Sequence, residues 1–340
     1  MDAGHPSQQV AGETENLLPS NLSPVVSRSV SYKSYGPGTN ITRHTQSILS
    51  IEPPEFRVVH GDPVKVALNC ATANGGIRVP FICAVNRYGP GRRHHDQRPT
   101  YEEDLCGRSS LLDTLTRTGP NTFGLPHHPI AKVGGVFSDR VAVYFGPRWD
   151  YYEKLEPTPD LPVISVPPLR KPRVNENGSL FYYANGKDKS IMTEKICCAL
   201  RVCLDHEYDR VVIGDFGLGD GYLNPPQELA EIWRDLLLFD PNLRGQFKSV
   251  HFVFMDPLQC TTQCHRDEKQ KNAEKNRLRM SARKGTTSTS TRRRTKPLSS
   301  RPVPMDMEVF ESVFHPDEIK RVRANSASGS STNMVLSWET

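Results

Sequence analysis

One segment of the sequence determines the expected fold: Val211-Val212-Ile213-Gly214-Asp215-Phe216-Gly217-Leu218-Gly219-Asp220-Gly221-Tyr222-Leu223-Asn224-Pro225-Pro226. It opens with an apolar, β-branched run typical of a buried strand and continues with four glycines within eight residues. Glycine tolerates positive φ and lets the backbone approach a ligand closely. Asn224 suits the N-cap of a helix and Pro225 its first turn, where a missing N–H costs nothing. The segment predicts a strand, a glycine-rich loop and a helix.

Such a loop indicates a site for phosphate groups. Backbone N–H groups of the loop and the positive end of the following helix would bind a diphosphate. The aromatic rings of Phe216 and Tyr222 could stack on a base or a ribose. The loop is neither a P-loop, which needs Gly-Lys-Ser/Thr, nor the dinucleotide fingerprint, whose acidic partner follows about 20 residues later. The alternative of a plain glycine-rich connection is disfavoured by the four glycines between an apolar strand and a proline-capped helix.

Strands and helices alternate on both sides of this loop. Strands are predicted at 64–69, 140–145, 161–166, 209–213 and 248–254. A helix is predicted at 100–118, and helical periodicity also runs through Met192, Ile196, Leu200 and Cys203 and again from Leu229 to Leu237. This alternation predicts a mixed sheet with helices on both faces. Ligands then bind at the carboxyl ends of the strands.

The composition divides the chain into one domain and two tails. Residues 1–55 have few large apolar residues and are predicted to be a disordered arm, while 56–260 are predicted to form the domain. Residues 261–340 are predicted to be a basic, largely disordered tail with one short helix within 305–322. From His265 to Arg301 there are 13 Lys/Arg against 3 Asp/Glu, although the net charge of the chain is only +5. This tail is a candidate for weak contact with nucleic acid, the alternative being a solvated tail. The same boundary predicts that 265–340 can be deleted without loss of ligand binding.

A second informative segment is Pro99-Thr-Tyr-Glu102-Glu103-Asp-Leu-Cys-Gly-Arg108. A carboxylate at the start of a helix could act as general acid on a glycosidic oxygen and then as base on water. Thr100 and Glu103 also have the spacing of a capping box, and acidic residues in a first turn are stabilised by the helix dipole. From these residues alone the cap is the simpler interpretation.

Taken together and in order, the segments resemble the microbial-type poly(ADP-ribose) glycohydrolases, a branch of the macrodomain fold. Val66-Ala-Leu-Asn-Cys-Ala71 with Gly75-Gly76 is similar to the Leu-Asn-Phe-Ala … Gly-Gly-Gly segment of the family. Glu102-Glu103-Asp-Leu-Cys is similar to its Gln-Glu-Glu-Asp-Leu-Cys helix, and Gly134-Gly-Val-Phe-Ser-Asp139 to its next segment. Gly214-x-Phe-Gly-x-Gly followed by Asn224-Pro-Pro is similar to its second phosphate loop.

The resemblance implies a macrodomain-like three-layer α/β/α sandwich with a mixed sheet, flanked by disordered tails. It also implies hydrolysis of the glycosidic bond of poly(ADP-ribose) or a related ADP-ribose conjugate. Glu103 would be the catalytic acid, with Glu102 beside it on the ribose. The implied ligand-binding residues are Asn69, Gly75, Gly76, Gly214, Phe216, Gly217, Gly219 and Tyr222. The rival is an ADP-ribose-binding protein without catalysis, which needs the phosphate loops but not Glu103.

The sequence departs from the family pattern at three points. Ile77 replaces the third glycine of the first loop, and Tyr101 replaces the glutamine before the acidic pair. Gly76 and Glu102 are far apart compared with the short spacer of the family, so residues 77–101 are interpreted as an inserted, basic surface loop. A side chain at Ile77 would hinder close approach of the backbone to a ligand.

The remaining expectations concern cofactors, partners and location. The eight cysteines fall mostly in apolar runs typical of buried thiols. Cys260-x-x-x-Cys264-His265 lacks a second ligand pair, so no metal and no cofactor are expected. The first residues do not have the pattern of a signal peptide, and no apolar run reaches the ~18–20 residues of a membrane span. The sequence therefore predicts a monomer without membrane contact in the cytosol or nucleus.

Overall fold

A seven-stranded sheet forms the centre of the protein. The computed structural model describes residues 29–32, 50–89, 101–116, 127–178, 180–284 and 303–328. Its strands are β1 Ser29–Tyr32, β2 Glu55–His60, β3 Phe81–Ala84, β4 Gly135–Ala142, β5 Asp160–Val166, β8 Arg210–Ile213 and β9 Ser249–Phe254. A separate hairpin is formed by β6 Val174–Asn177 and β7 Leu180–Tyr183. The sheet has the order β1-β4-β5-β3-β8-β9-β2. Five neighbouring strands from β5 to β2 are parallel, while β4 runs antiparallel to β5 and to β1.

Helices cover both faces of the sheet. They are α1 Pro63–Ala73, α2 Tyr101–Arg108, α3 Leu111–Thr116, α4 Gly186–Asp205, α5 Gly219–Tyr222, α6 Pro226–Phe239, α7 Thr261–Lys284, α8 Asp306–Val313 and α9 Pro316–Ser328. Side chains alternate along the buried strands, as the two-residue period of a strand requires. In β9, Val250, Phe252 and Phe254 pack with α4 and α6 on one face, whereas Val253 packs with α1 on the other. The predicted three-layer α/β/α sandwich with a mixed sheet is confirmed.

The two long amphipathic helices predicted from periodicity are present. Met192, Ile196, Leu200 and Cys203 are fully buried in α4, and Leu229, Trp233 and Leu237 are buried in α6. The predicted strands at 161–166, 209–213 and 248–254 correspond to β5, β8 and β9 within one residue at each end. The strand predicted at 140–145 is displaced, because β4 ends at Ala142. The helix predicted at 100–118 is interrupted and forms α2 and α3.

The predicted strand at 64–69 is wrong, because this segment is helical. Pro63 occupies the first position of α1, and the Asp62 carboxylate accepts a hydrogen bond from the Lys65 N–H at 3.3 Å. Val64 and Ala67 face the sheet at a helical spacing of three residues. A short apolar run has no clear period of its own, so the capping residues decide the outcome.

The interpretation of 77–101 as an inserted surface loop is also wrong, at least in its first part. Within this segment β3 pairs with β5 on one side and with β8 on the other, at the middle of the sheet. Phe81, Ile82 and Cys83 are completely buried. Residues 90–100, which include most of the basic part of the supposed insert, lie outside the described residues.

Parts of both predicted disordered tails are folded. In the N-terminal arm, β1 pairs with β4, and in the C-terminal tail the single helix expected within 305–322 is the pair α8 and α9. Phe314 contacts Phe252 with ring centroids 4.5 Å apart, and Phe310 lies 5.2 Å from the same ring. Residues 303–328 therefore pack as part of the domain, so a deletion of 265–340 would remove core side chains together with the basic segment.

Leu200→Ala should destabilise the protein by about 2–5 kcal/mol, because the side chain is completely buried and its removal leaves a cavity between α4 and the sheet. Chemical denaturation measures the change, with the exposed Glu194→Ala on the same helix as the control. A Leu200→Asp variant as stable as the wild type would contradict this placement of α4.

A chain ending at residue 302 should lose cooperative unfolding, because it exposes the surface that Val309, Phe310, Val313 and Phe314 cover. Burial of each such side chain contributes about 1.5–3 kcal/mol, and four together approach the stability of a whole domain. Thermal unfolding followed by circular dichroism measures this. The matched control is a chain ending at residue 328, which should unfold like the full chain; equal behaviour of the two truncations would contradict the packing of α8 and α9.

Candidate functional site

The acidic helix α2 is held in place by a buried guanidinium group. The Arg108 side chain is fully buried and donates hydrogen bonds to Asp62 at 2.7 Å and to Asp104 at 2.9 Å. The Tyr101 hydroxyl donates to the same Asp62 oxygen at 2.9 Å. Asp62 in turn caps α1 through the Lys65 N–H. These contacts join the start of α1 to α2 at the carboxyl end of β2 and thereby fix the orientation of Glu102 and Glu103.

The electrostatics of this cluster keep it charged. Burial by itself lowers the pKa of Arg108, but Tyr101, Asp62 and Asp104 together raise that pKa above its ordinary value. Burial, followed by the negative charge of Asp62, raises the pKa of the Tyr101 phenol well above its ordinary value. Tyr101 therefore stays a hydrogen-bond donor at neutral pH. Its position before the acidic pair has a structural role in this chain.

The two glutamates of α2 have different surroundings. Glu102 is buried, and its Oε2 atom accepts a hydrogen bond from the backbone N–H of Asn86, just beyond β3, at 2.6 Å. Glu103 is only partly buried, since successive residues of a helix point about 100° apart. The capping box predicted with Thr100 involves a residue outside the described ones. The structure thus anchors one carboxylate at the end of a central strand and leaves the other more accessible.

The acidic helix and the glycine-rich segment, far apart in sequence, lie at the same carboxyl edge of the sheet. Glu102 is anchored just after β3, and the glycine-rich segment follows β8, which is the parallel neighbour of β3. Burial is the main reason that the pKa of the Tyr222 phenol is raised, and the charge of Glu102 adds to it. Glu102 also adds to the effect of burial in raising the pKa of the Cys83 thiol in β3.

Two glycines of the loop are required by its conformation. Gly217 and Gly219 have φ of +80° and +73°. A Cβ atom at Gly217 would lie 3.0 Å from Met192 Cε and 3.1 Å from Asn224 Nδ2. Gly214 has no such constraint, because a Cβ atom there would make ordinary contact with the Phe81 ring at 3.5 Å. Gly214, Gly217 and Gly219 all lie at the same edge as Glu102, as predicted.

Asn224 stabilises the loop instead of capping the next helix. It is completely buried, and its Nδ2 group donates to the carbonyl oxygens of Leu169 and Gly217, both at 2.8 Å. Its Oδ1 atom accepts a hydrogen bond from the Tyr183 hydroxyl at 2.9 Å. The N-cap position of α6 is Pro225, so the predicted cap is displaced by one residue.

Phe216 does not have the predicted ligand-stacking role. Its ring is buried and packs edge-to-face on Trp233 with centroids 5.7 Å apart, so it belongs to the core between the loop and α6. Several N–H groups of the loop also have partners within the protein. The Phe216 N–H donates to Gly214 O at 2.7 Å, the Leu218 N–H to Asp215 O at 3.1 Å, and the Gly219 N–H to Thr261 Oγ1 at 2.7 Å. These three N–H groups do not face a ligand.

Asn69, Gly75 and Gly76 do not join the site. Because α1 is a helix that returns along the sheet, Gly75 and Gly76 follow its end and lead to the start of β3, at the opposite edge from Tyr222. Asn69 is exposed on α1. Ile77 is 56% exposed at that same edge, so its replacement of a glycine does not obstruct the site. The structure therefore does not bring these three residues together with the acidic helix and the glycine-rich loop.

The strand that precedes the acidic helix had a signal in the sequence. It is the apolar run Phe81-Ile-Cys-Ala-Val, which is followed by Asn86 and forms the central strand β3. Sequence analysis also overlooked Asp62 and Arg108, whose partnership joins positions 46 residues apart.

Metal and membrane features were also sought in the described part of the chain. Among these residues, no cluster of three or more His, Cys, Asp or Glu side chains could bind a metal ion. His265, next to the Cys260 and Cys264 pair, stacks on Phe181 with ring centroids 4.6 Å apart. No helix in the described ranges has the length and apolar character that crossing a membrane requires.

Comparison with known proteins identifies the fold. No family model matches the chain, and no curated protein matches it. Among solved structures, poly(ADP-ribose) glycohydrolase from Thermomonospora curvata gives a TM-score of 0.56 at 18% identity, covering 77% of this chain and 97% of that one. The same protein bound to the inhibitor ADP-HPD gives 0.53 at 18% identity, covering 78% and 99%. The chain therefore has the macrodomain-like fold of a bacterial poly(ADP-ribose) glycohydrolase.

Proposed function

We propose that the protein binds ADP-ribose at the carboxyl edge of its sheet and hydrolyses the ribose glycosidic bond of poly(ADP-ribose) or a related conjugate. The observation that carries this proposal is that the acidic helix and the glycine-rich loop lie at one carboxyl edge of the sheet, since Glu102 is anchored just after β3 and the loop follows its parallel neighbour β8. The likeness of the whole sandwich to a glycohydrolase solved with the inhibitor ADP-HPD supports it.

The ligand would lie between the glycine-rich loop and α2. Gly217 and Gly219 let the loop turn sharply under the diphosphate, and Gly214 brings the backbone to the end of β8. Tyr222 would pack its ring on a ribose, since its phenol stays neutral beside the Glu102 carboxylate. Glu102, fixed by the Asn86 N–H, would accept a hydrogen bond from a ribose hydroxyl.

Glu103 is the proposed general acid. A glycosidase acid must transfer its proton to the leaving ribose oxygen and later accept one from water, which requires access to both. The partly buried position of Glu103, one residue from the anchored Glu102, supports this division of roles. An oxocarbenium-like transition state would form next to two carboxylates, which stabilise its positive charge.

The second candidate is ADP-ribose binding without hydrolysis. It is favoured by the placement of Asn69, Gly75 and Gly76 away from the site, which removes three of the eight ligand-binding residues expected from the family pattern. The two candidates differ in one measurable property, because only the enzyme needs a transferable proton at Glu103.

All eight cysteines are free thiols, which supports location in the cytosol or nucleus for either candidate.

Turnover of poly(ADP-ribose) by Glu103→Gln should fall by about 10²–10⁴-fold while ADP-ribose affinity stays nearly unchanged, because the amide keeps the shape but cannot donate the proton in the same way. Release of ADP-ribose measures turnover, and calorimetry measures affinity. Glu194→Gln, an exposed change on α4, is the control.

Glu102→Gln should instead weaken ADP-ribose binding, because Glu102 is proposed to bind the ribose. Loss of turnover in Glu102→Gln with full activity in Glu103→Gln would reverse the two roles. Wild-type protein that binds ADP-ribose but releases none from the polymer would establish the binding protein instead of the enzyme.

A weak contact with nucleic acid is proposed for α7. From Lys275 to Lys284 this helix has five Lys or Arg and no acidic residue, and Lys275, Arg277 and Arg279 are exposed. Replacing these three by Gln should lower DNA affinity at low salt and reduce the slope of log affinity against log salt by about 3. Fluorescence anisotropy with a labelled duplex measures both quantities. An unchanged slope would show that these cations do not contact phosphates.

A further inference from the structure

The glycine-rich loop is tied to the C-terminal helices by a chain of buried hydrogen bonds. The Gly219 N–H donates to Thr261 Oγ1 at 2.7 Å, and the Thr261 hydroxyl donates to Asp306 Oδ2 at 2.6 Å. The Thr261 N–H also donates to Asp306 Oδ1 at 2.9 Å. Thr261 and Asp306 are both completely buried.

Gln259 adds a second connection between the same parts. Its Nε2 group donates to Asp306 Oδ2 at 3.1 Å, and its backbone carbonyl accepts from the Asp306 N–H at 2.9 Å. Burial raises the pKa of Asp215 in the loop to about 6, and the Gln259 side chain partly offsets this increase. Its Oε1 atom lies 3.0 Å from where a Cβ of residue 219 would be, so the loop packs directly against it.

The order of donors and acceptors makes Asp306 the fixed end of this chain. A carboxylate accepts hydrogen bonds only, so the Thr261 hydroxyl must direct its hydrogen to Asp306 and present a lone pair to Gly219. An ionised acceptor also strengthens such hydrogen bonds. Asp306 thus fixes the orientation of the Thr261 hydroxyl, and this hydroxyl in turn accepts the hydrogen bond from the Gly219 N–H.

We propose that Asp306 and Thr261 are positioning residues for the diphosphate loop, so that helix α8 is part of the ligand site although it does not touch the ligand. This inference rests on the proposed function, because that function assigns the diphosphate of the ligand to the glycine-rich loop. It explains why α8, which α6, β9 and α7 separate from the loop in sequence, carries a buried carboxylate that accepts a hydrogen bond from the loop anchor Thr261.

The test compares Thr261→Val, which keeps the shape but removes the hydroxyl, with Thr261→Ser, which keeps the hydroxyl. Thr261→Val should weaken ADP-ribose binding about tenfold, because a buried N–H and a buried carboxylate each lose a partner. If the polymer is hydrolysed, KM should rise while kcat stays nearly constant, since the loop contributes equally to ground-state and transition-state binding. Thr261→Ser should behave like the wild type.

Hydrogen exchange of the unliganded protein provides a readout that does not depend on the ligand. In Thr261→Val, amide exchange in the peptide covering 214–223 should increase, while exchange in α4 stays unchanged. Asp306→Asn should produce the same local change, and the exposed Glu308→Gln on the same helix is the control. If Thr261→Val does not fold, the comparison of Asp306→Asn with Glu308→Gln decides.

The outcomes separate this inference from the proposed function. Wild-type protein that fails to bind ADP-ribose refutes the proposed function, whereas the exchange data still measure the link between α8 and the loop. Protected loop amides in both Thr261→Val and Asp306→Asn would overturn the inference. So would wild-type ADP-ribose affinity in Thr261→Val.

Discussion

The arrangement of the candidate site depends on the buried guanidinium of Arg108. It lies between Asp62 at the start of α1 and Asp104 within α2, and the Tyr101 hydroxyl completes the cluster. Breaking a buried ion pair by removing one partner typically costs about 3–5 kcal/mol, because it leaves an uncompensated charge. The planar guanidinium presents Nε to Asp104 and Nη2 to Asp62 in a fixed geometry, whereas the three N–H donors of a lysine ammonium sit on one rotatable group and fix no such angle. The two ion pairs of Arg108 therefore act through geometry, because they set the direction of the acidic helix α2.

The other side of the site is fixed by different means. Two side chains anchor the glycine-rich loop. Asn224 Nδ2 donates a hydrogen bond to Gly217 O, and Thr261 Oγ1 accepts one from the Gly219 N–H. Both anchors are buried, so the loop is positioned by the same core that contains α6 and the C-terminal helices. The Arg108 cluster and these loop anchors position their segments at the same edge of the sheet, where Glu102 accepts a hydrogen bond from the Asn86 N–H. This convergence of separate segments is what a preorganised site requires.

Sequence periodicity was sufficient for the layers but not for the local identity of short elements. The long helices α4 and α6 and the buried strands β5, β8 and β9 follow directly from their apolar patterns. The short apolar run after Asp62 lacks a clear period, so its composition predicts a strand where the structure has a helix, and Gly75 and Gly76 are thereby predicted at the wrong edge of the sheet. The four-residue strand β3 was missed for the same reason. The helices after the basic segment were missed because the surrounding composition resembles a disordered tail.

The candidate site was predictable only in part. The acidic pair, Tyr222 and the loop glycines carry recognisable local signals, and the structure places them at one edge. The burial of Phe216 was not predictable, because it depends on Trp233 packing against it from another element. The partnerships of Arg108 with Asp62 and of Thr261 with Asp306 join residues distant in sequence, and tertiary packing alone creates them.

The central claim, that ADP-ribose occupies the carboxyl edge of the sheet, is tested most directly by a crystal structure of the protein with ADP-ribose. The account predicts the diphosphate over Gly217 and Gly219, a ribose against Tyr222, and the reacting ribose carbon within reach of Glu103. Density for the ligand at the opposite edge, near Gly75 and Gly76, or anywhere that leaves the acidic pair without contact, would contradict it.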